Sequence, residues 1–446
     1  MPNMLLLISD EHNPLYSSVY GHDFVQTPAM ETLAQNGVVY ENAYCPSPLC
    51  MPSRSAFISG RRAHQIQVYN NCRIGISSHY PSYGSLLAKQ GINSVHIGKS
   101  HVYAPGDQLG FQDTKCLSKD DTEGDTEIGR HPFRVRTDAA KRATKFGIQP
   151  ANLTIDLGSI SASIDWLLNT APLLENPWTL TVNLNHPHFP HYTSRDLWDL
   201  YPQAGDLPNY GLNQETANHL RAKEVREHFQ TDKFTEEQVR GQRRGYLACV
   251  TFVDRQLRGL IETLKVSGEY DKTNIVYTSD HGEMLGKFGM WWKCSLYEDS
   301  CRIPCIASGP DFSSQLKVST PVDLHDVQAS LFRSVRVDRP SQWIGEPLQS
   351  IPVNDNNRVV FSEYHGHGVR ESAFMIRKGH WKYLHHIGAP HQLFDINRDP
   401  DELCNVYKKY REVAADLENE LRLICDPEKE NDRANDFITA QLAMKT

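Results

Sequence analysis

Four short apolar runs, each ending on chargeable residues, constrain this chain more than any other feature. Met4–Ser9, Ser94–Ile97, Trp178–Leu184 and Asn274–Thr278 read as strands buried on both faces, and helical stretches separate them. Such alternation implies an α/β fold with a mainly parallel central sheet flanked by helices. Polar residues follow each strand at once: Asp10-Glu11, Lys99-Ser100-His101, His186-Pro187-His188 and Asp280-His281. In open sheets of this kind ligands gather beyond the carboxyl ends of the strands, so four strand ends point to one site.

At 446 residues the chain exceeds what one core holds, since single cores stop growing at about 250–300 residues. The pattern breaks around Asp338-Arg339-Pro340 and Ile351-Pro352-Val353-Asn354-Asp355, which divides a large domain, 1–350, from a small domain, 351–446. In the latter, Val359–Tyr364, Ala373–Arg377, Trp381–His385 and Leu393–Ile396 read as an antiparallel sheet. A helix from about Glu402 to Ile424 follows, with Val413, Leu417, Leu421 and Ile424 on one face. The charged segment from Asp426 to Thr446 reads as a frayed tail or as an arm reaching a neighbouring subunit, which leaves a homo-oligomer open. Pro105 to Gln149 turns polar, with an acidic run Lys119–Glu123 and then Arg130, Arg134, Arg136, Lys141, Arg142 and Lys145; it reads as a solvated insertion or as a lid that shapes the substrate site. Gln203 to Arg244 is also polar and leads into a helix with Leu247, Val250, Val253, Leu257 and Leu260 on its apolar face.

A formal net charge of −8 creates no field that recruits nucleic acid or an acidic membrane, so an anionic substrate must be captured by local cations. No run approaches the roughly 18 apolar residues of a membrane span, and the first ten residues lack a basic n-region. The cytoplasm is the expected home, with a trimmed leader left open. The ten cysteines show no CxxC pair or disulfide framework and read as buried thiols. Cys50 is the exception.

Cys50-Met51-Pro52-Ser53-Arg54, followed by Ser59-Gly60, resembles the C-x-P-x-R signature of the type I, formylglycine-dependent sulfatases of the alkaline phosphatase superfamily. Further stretches fit that family in order. Gly98-Lys99-Ser100-His101 is similar to its G-K-x-H, Pro187-His188-Phe189-Pro190 to its P-H-x-P, and Asp280-His281-Gly282 to its D-[NH]-G turn. Lys293, Tyr297-Glu298 and Arg302-Ile303-Pro304 resemble K-x-x-x-Y-E-x-x-x-R-x-P, while Leu393-Phe394-Asp395 with Asp399-Pro400-Asp401-Glu402 resembles the closing segment. The resemblance implies an alkaline-phosphatase-like fold with a small C-terminal α+β domain. It also implies sulfuric ester hydrolysis, and oxidation of Cys50 to formylglycine by a separate formylglycine-generating maturation enzyme.

Sulfate-ester cleavage must balance charge on the transferring oxygens, protonate a poor alkoxide and supply a strong nucleophile near neutral pH. Asp10, Asp280 and Glu11 offer anionic oxygens to a divalent cation and His281 can bind or orient, a set that suits Ca2+, with Mg2+ or Mn2+ as alternatives. The family pattern places the group made from Cys50 on the same metal. A hydrated aldehyde explains the modification: one hydroxyl attacks sulfur, and the other, once deprotonated, expels sulfate. By resemblance, Arg54 anchors the hydrate, Lys99 and Lys293 hold sulfate oxygens, His101 is the base, His188 protonates the leaving group and Asn71 joins the substrate contacts. His186 and His191 read as structural.

Val68-Tyr69-Asn70-Asn71, the Asp280-His281 pair, Ser362-Glu363-Tyr364 and Met375-Ile376-Arg377-Lys378-Gly379 are most similar to the choline sulfatase and phosphonate monoester hydrolase branch. Two departures matter. Glu11 stands where that branch has a neutral glutamine, and His367 falls near where a choline sulfatase offers an acidic residue to a quaternary ammonium. The second argues against choline and leaves a sulfated sugar or other small organic sulfate as substrate. A phosphonate monoester or phosphodiester hydrolase with the same nucleophile is the rival enzyme, and Lys99 and His101 argue against it. A non-catalytic anion-binding protein with an unmodified Cys50 is the rival of another class.

Overall fold

The computed structural model describes residues 1–72, 75–102, 109–116, 124–202 and 207–444, so the acidic run 119–123 lies outside the described residues. Strands β1 (Asn3–Asp10), β2 (Gly37–Tyr40), β3 (Asn93–Gly98), β4 (Asp113–Lys115), β5 (Trp178–Pro187), β6 (Thr273–Ser279), β7 (Cys305–Ser308) and β8 (Leu316–Val318) form one sheet in the order β8-β2-β7-β6-β1-β5-β3-β4. β1 lies in parallel register between β5 and β6, pairing Leu6 with Thr181 and Val276, and β7 runs antiparallel to its neighbours β2 and β6. All eight residues of β1 and all seven of β6 are buried, as strands covered from both sides must be. The covering helices include α1 (Cys50–Ser59), α2 (Thr154–Asn169), α3 (Glu236–Val266) and α4 (Leu324–Ser334); α2 and α3 pack on β5, and α4 packs on β1 and α1. The polar start of α3 is explained by its capping box, in which Thr235 and Gln238 satisfy each other's backbone N–H groups.

Strands β9 (Val359–Tyr364), β10 (Ala373–Lys378), β11 (Trp381–His386) and β12 (Gln392–Asp395) form an antiparallel meander. Alternation sorts its residues between two cores. Phe361, Phe374, Ile376, Tyr383 and Leu393 pack with Leu417 and Leu421 of α5 (Arg411–Ile424), whereas Val360, Tyr364, Met375, Leu384 and Phe394 join the main core.

Three expectations need correction. The helix placed from Glu402 begins at Arg411, because Asp399 accepts the backbone N–H groups of Leu403 and Cys404 and buried Glu402, at φ +57°, is held by the Glu298 backbone N–H and by Lys382. The terminal segment is not frayed over its described residues. It forms helix α6 (Pro427–Ala443) on its own chain, where Asn431 accepts from Ser372 N and Arg130 Nη2 (both 2.8 Å) and Gln441 bonds Asn70 and the Cys72 carbonyl. The segment 124–149 is solvated only in part, since Arg130 and Arg136 are buried while 131–132, 134–135 and 140–141 are exposed. Among the described residues no helix is long and apolar enough to cross a membrane.

Candidate active site

Helix α1 explains the spacing of C-x-P-x-R. Cys50 is its first residue and Pro52 sits in the first turn, where a missing N–H costs nothing. Arg54 follows one turn after Cys50, so both side chains share a face. Gly60 closes the helix at φ +63°, and a Cβ there would lie 2.4 Å from the Trp343 ring.

Strand ends bring the remaining groups. Arg54 donates from Nε to Asp280 Oδ2 (2.7 Å) and from Nη1 to Asn183 Oδ1 (3.0 Å), while its Nη2 lies 3.6 Å from Asp10 Oδ2. Glu11, just past β1, is held at φ +69°, and its backbone N–H donates to Asp280 Oδ1 (3.1 Å). Strain of this kind persists where surrounding structure imposes it, and functional sites are where it collects. Gly98 and Gly282 are required by crowding: a Cβ would stand 2.0 Å from the Asn183 carbonyl oxygen in the first case and 2.2 Å from that of Asp299 in the second.

Ligand atoms of Asp10, Cys50, Asp280 and His281 lie within 4.8 Å of one another, and those of Asp10, Glu11 and His188 form an adjoining group. Cys50 Sγ is 3.2 Å from His281 Nε2 and 3.8 Å from Asp10 Oδ1. The donor set fits a hard cation. His281 Nδ1 can only donate to the Gly282 carbonyl (3.0 Å), which points Nε2 at the carboxylates, where it can hold a proton or, once that proton is lost, ligate a cation. Burial opposes a charge on His281, but Asp280 and Cys50 outweigh it and raise its pKa to about 9, so this pocket attracts positive charge. Glu11 Oε1 is buried with no hydrogen-bond partner among the described residues.

Two lysines face this cluster. Lys99 Nζ pairs with Asp10 Oδ2, and Lys293 Nζ donates to Glu11 Oε2 (3.0 Å). Burial opposes ionisation of the Cys50 thiol, yet Lys293, Lys99, His281 and a hydrogen bond from His101 pull it well below its ordinary value. His101 follows β3 at φ +49°, with Nδ1 buried and without a hydrogen-bond partner among the described residues. His188 bonds the Phe189 carbonyl through Nδ1, so its Nε2 accepts from Lys293 Nζ (2.6 Å) and stands 3.3 Å from Glu11 Oε2. At 26% side-chain exposure, His188 marks the open side, against 9% for Lys293 and 11% for Lys99.

All the metal and catalytic candidates thus meet in one place. Asn71 meets them indirectly: its Oδ1 accepts from Met51 N (2.9 Å) in the first turn of α1. His186 binds Asp156 (2.6 Å) and His191 binds Gln242 (2.7 Å), both buried, as structural histidines do. Sequence reasoning missed Asn183, a polar residue inside an apolar strand, and Glu283, contiguous with Asp280-His281-Gly282. Glu283 Oε1 accepts from Leu285 N and Trp292 N, which folds the loop that delivers Lys293; burial and Glu11 push its pKa well up. It also missed Asp125, Phe229 and Trp292, which join Arg136, Arg142, Phe189 and His367 in a rim that no single motif announces.

Residues 2–335 match the Sulfatase family model. The chain belongs to the sulfatase family. Residues 286–426 match the model for the N-sulphoglucosamine sulphohydrolase C-terminal region. A choline-sulfatase of Rhizobium meliloti (strain 1021) is 30% identical to this sulfatase over 441 residues, which cover 92% of this chain and 83% of the relative. Arylsulfatase K of Bos taurus is 27% identical over 460 residues, 95% of this chain and 81% of the relative. The phosphonate monoester hydrolase of Agrobacterium radiobacter shares the fold, with a TM-score of 0.75, 20% identity and coverage of 94% of this chain and 95% of its own. This sulfatase is a hydrolase of the alkaline phosphatase-like superfamily, and its relatives support sulfate-ester hydrolysis.

Proposed function

We propose that this sulfatase hydrolyses a sulfate monoester of a sugar or other small alcohol, with residues 1–350 as the catalytic domain and 351–446 as a smaller C-terminal domain. The observation that carries the reading is the convergence of Arg54, Lys99 and Lys293 on the Cys50, Asp10, Asp280 and His281 cluster. Cys50 is the residue that a maturation enzyme would convert to formylglycine, whose hydrate offers two hydroxyls on one carbon, one to attack sulfur and one to release sulfate. Asp10, Glu11, Asp280 and His281 would hold a divalent cation, Ca2+ by their oxygen-rich character, and it would supply positive charge to the sulfate oxygens.

The chain's own residues do the rest. Arg54 is locked between Asp280 and Asn183, so it orients position 50 without loss of side-chain freedom during reaction. Lys99 and Lys293 bind sulfate oxygens as paired ammonium groups. His188, whose Nε2 faces Lys293 and Glu11 at the open side, would take up a proton there and pass it to the departing alkoxide. His101, whose Nδ1 has no hydrogen-bond partner among the described residues and which hydrogen-bonds Cys50, would serve as base at position 50. The names of the relatives support sulfate over phosphonate esters and leave choline and saccharide sulfates to be separated by assay.

Side-by-side turnover of an aryl sulfate and an aryl phosphonate monoester by matured, Ca2+-loaded protein tests the reading. A kcat/KM preference for the sulfate is expected, with activity lost on chelation and restored by Ca2+. A preference for the phosphonate would replace this function with its rival, and undiminished activity of metal-free protein would remove the cation.

A further inference from the structure

Beside His188 the rim carries an arginine whose ion pair among the described residues is a loose one, with Asp138 Oδ2 at 3.8 Å. Arg142 lies over the rings of Phe189 and Trp292, 4.5 Å from each centroid, and 5.8 Å from that of Phe229. Phe189 follows His188 in the chain, and Trp292 precedes Lys293, so the guanidinium rests on the two rings that flank the leaving-group side of the site. The nearby acids are engaged elsewhere. Arg136 donates to Asp125 (2.6 Å) and to both oxygens of Asp138 (2.9 and 3.5 Å), while Arg142 comes no nearer to Asp138 than 3.8 Å. Arg142 Nε is buried with no hydrogen-bond partner among the described residues. At 19% side-chain exposure the residue still reaches the open side.

The same geometry bears on choline. Aromatic faces beside a carboxylate are what a quaternary ammonium needs, and Phe189, Trp292 and Asp125 supply both. Those two faces, however, already hold the Arg142 cation, and the Asp125 carboxylate already binds Arg136. His367, 3.7 Å from Asp125, adds no negative charge.

We infer that Arg142 forms a second anion subsite, which selects sulfate esters of alcohols that carry a carboxylate or another sulfate next to the scissile group. The inference rests on the proposed sulfatase reading and deepens it. A guanidinium held flat on two rings offers a planar fork to such a group, and little side-chain entropy is lost on binding because the rings already fix it.

Wild-type protein, Arg142→Gln and Arg142→Lys are assayed on a nitrophenyl sulfate, a neutral hexose monosulfate, a uronic acid monosulfate, a hexose disulfate and choline sulfate. The wild type is expected to favour the uronic acid or disulfated sugar over the neutral hexose and over choline sulfate, and the stronger of the two identifies the second anion. Arg142→Gln should lower kcat/KM for that substrate about 10- to 100-fold. It should change the nitrophenyl sulfate by less than about 3-fold, with Arg142→Lys intermediate. Equal losses on both substrates, no loss on either, or a wild-type preference for choline sulfate would overturn the assignment. Nitrophenyl sulfate turnover by the wild type reports on the underlying reading separately. If no sulfate ester is cleaved, that reading fails, and calorimetric binding of the uronic acid monosulfate to wild type and Arg142→Gln decides the subsite on its own: weaker binding by the variant upholds it, equal binding rejects it.

Discussion

The floor of the site and its rim are built by different means. On the floor, Asp10, Glu11, Lys99, Asp280 and His281 each sit at or just past the carboxyl end of a parallel strand, and Cys50 and Arg54 share one helical face, so short segments fix every group. On the rim, Asp125, Arg136, Arg142, Phe229, Trp292 and His367 come from four separate segments and meet through aromatic and ionic contacts. The floor is a property of topology and local backbone, and in the proposed function it serves any sulfate. The rim is a property of tertiary convergence, and it is where one member of the family can differ from another.

Variants can break or sharpen this contrast. The largest effect belongs to the floor. Lys99→Ala should lower kcat/KM about 100- to 1000-fold on every sulfate ester, whatever the alcohol, because it removes charge from the group common to all substrates. Steady-state kinetics on a nitrophenyl and a sugar sulfate check this, and a loss confined to one of them would move Lys99 to the rim.

His188 stands at the boundary, so its effect should depend on the alcohol. His188→Ala should cost about 100-fold on a sugar sulfate, whose alkoxide needs a proton, and only a few-fold on nitrophenyl sulfate, whose leaving group does not. Equal losses would make His188 part of the floor.

The smallest catalytic effect is expected from the anchor behind the rim. Asn431→Ala strips the Arg130 guanidinium and the Ser372 N–H of a buried acceptor and should cost about 1–3 kcal/mol of stability. Denaturant unfolding measures it, and nitrophenyl sulfate turnover at low temperature should be unchanged. A large loss of turnover in folded protein would show that α6 supports the floor as well.

The same contrast decides what could be read from the sequence. The four central strands and the floor residues were legible because an apolar run ended by polar residues, or a Cys four residues before an Arg, carries its structural meaning locally. Asn183 was legible in principle as a polar residue within β5. Arg142 was not, because in sequence it is one cation among six and only the fold sets it on Phe189 and Trp292. Helix α6 read as a tail because its buried face is narrow, with Ala434 and Ile438 among many charges, and most of its anchoring is through Asn431 and Gln441. The start of α5 was misplaced because the Asp399 and Glu402 side chains hold the preceding turn, and neither contact leaves a periodic signal.

In the proposed function, chemistry at position 50 makes this chain a sulfate-ester hydrolase. Protein is produced with graded amounts of a formylglycine-generating enzyme, and the modified fraction of the Cys50 peptide is measured by mass spectrometry alongside kcat on an aryl sulfate. The modified peptide should be lighter by about the mass of one water. Activity should rise in proportion to that fraction from an origin at zero; full activity in protein whose Cys50 is entirely thiol would contradict the account.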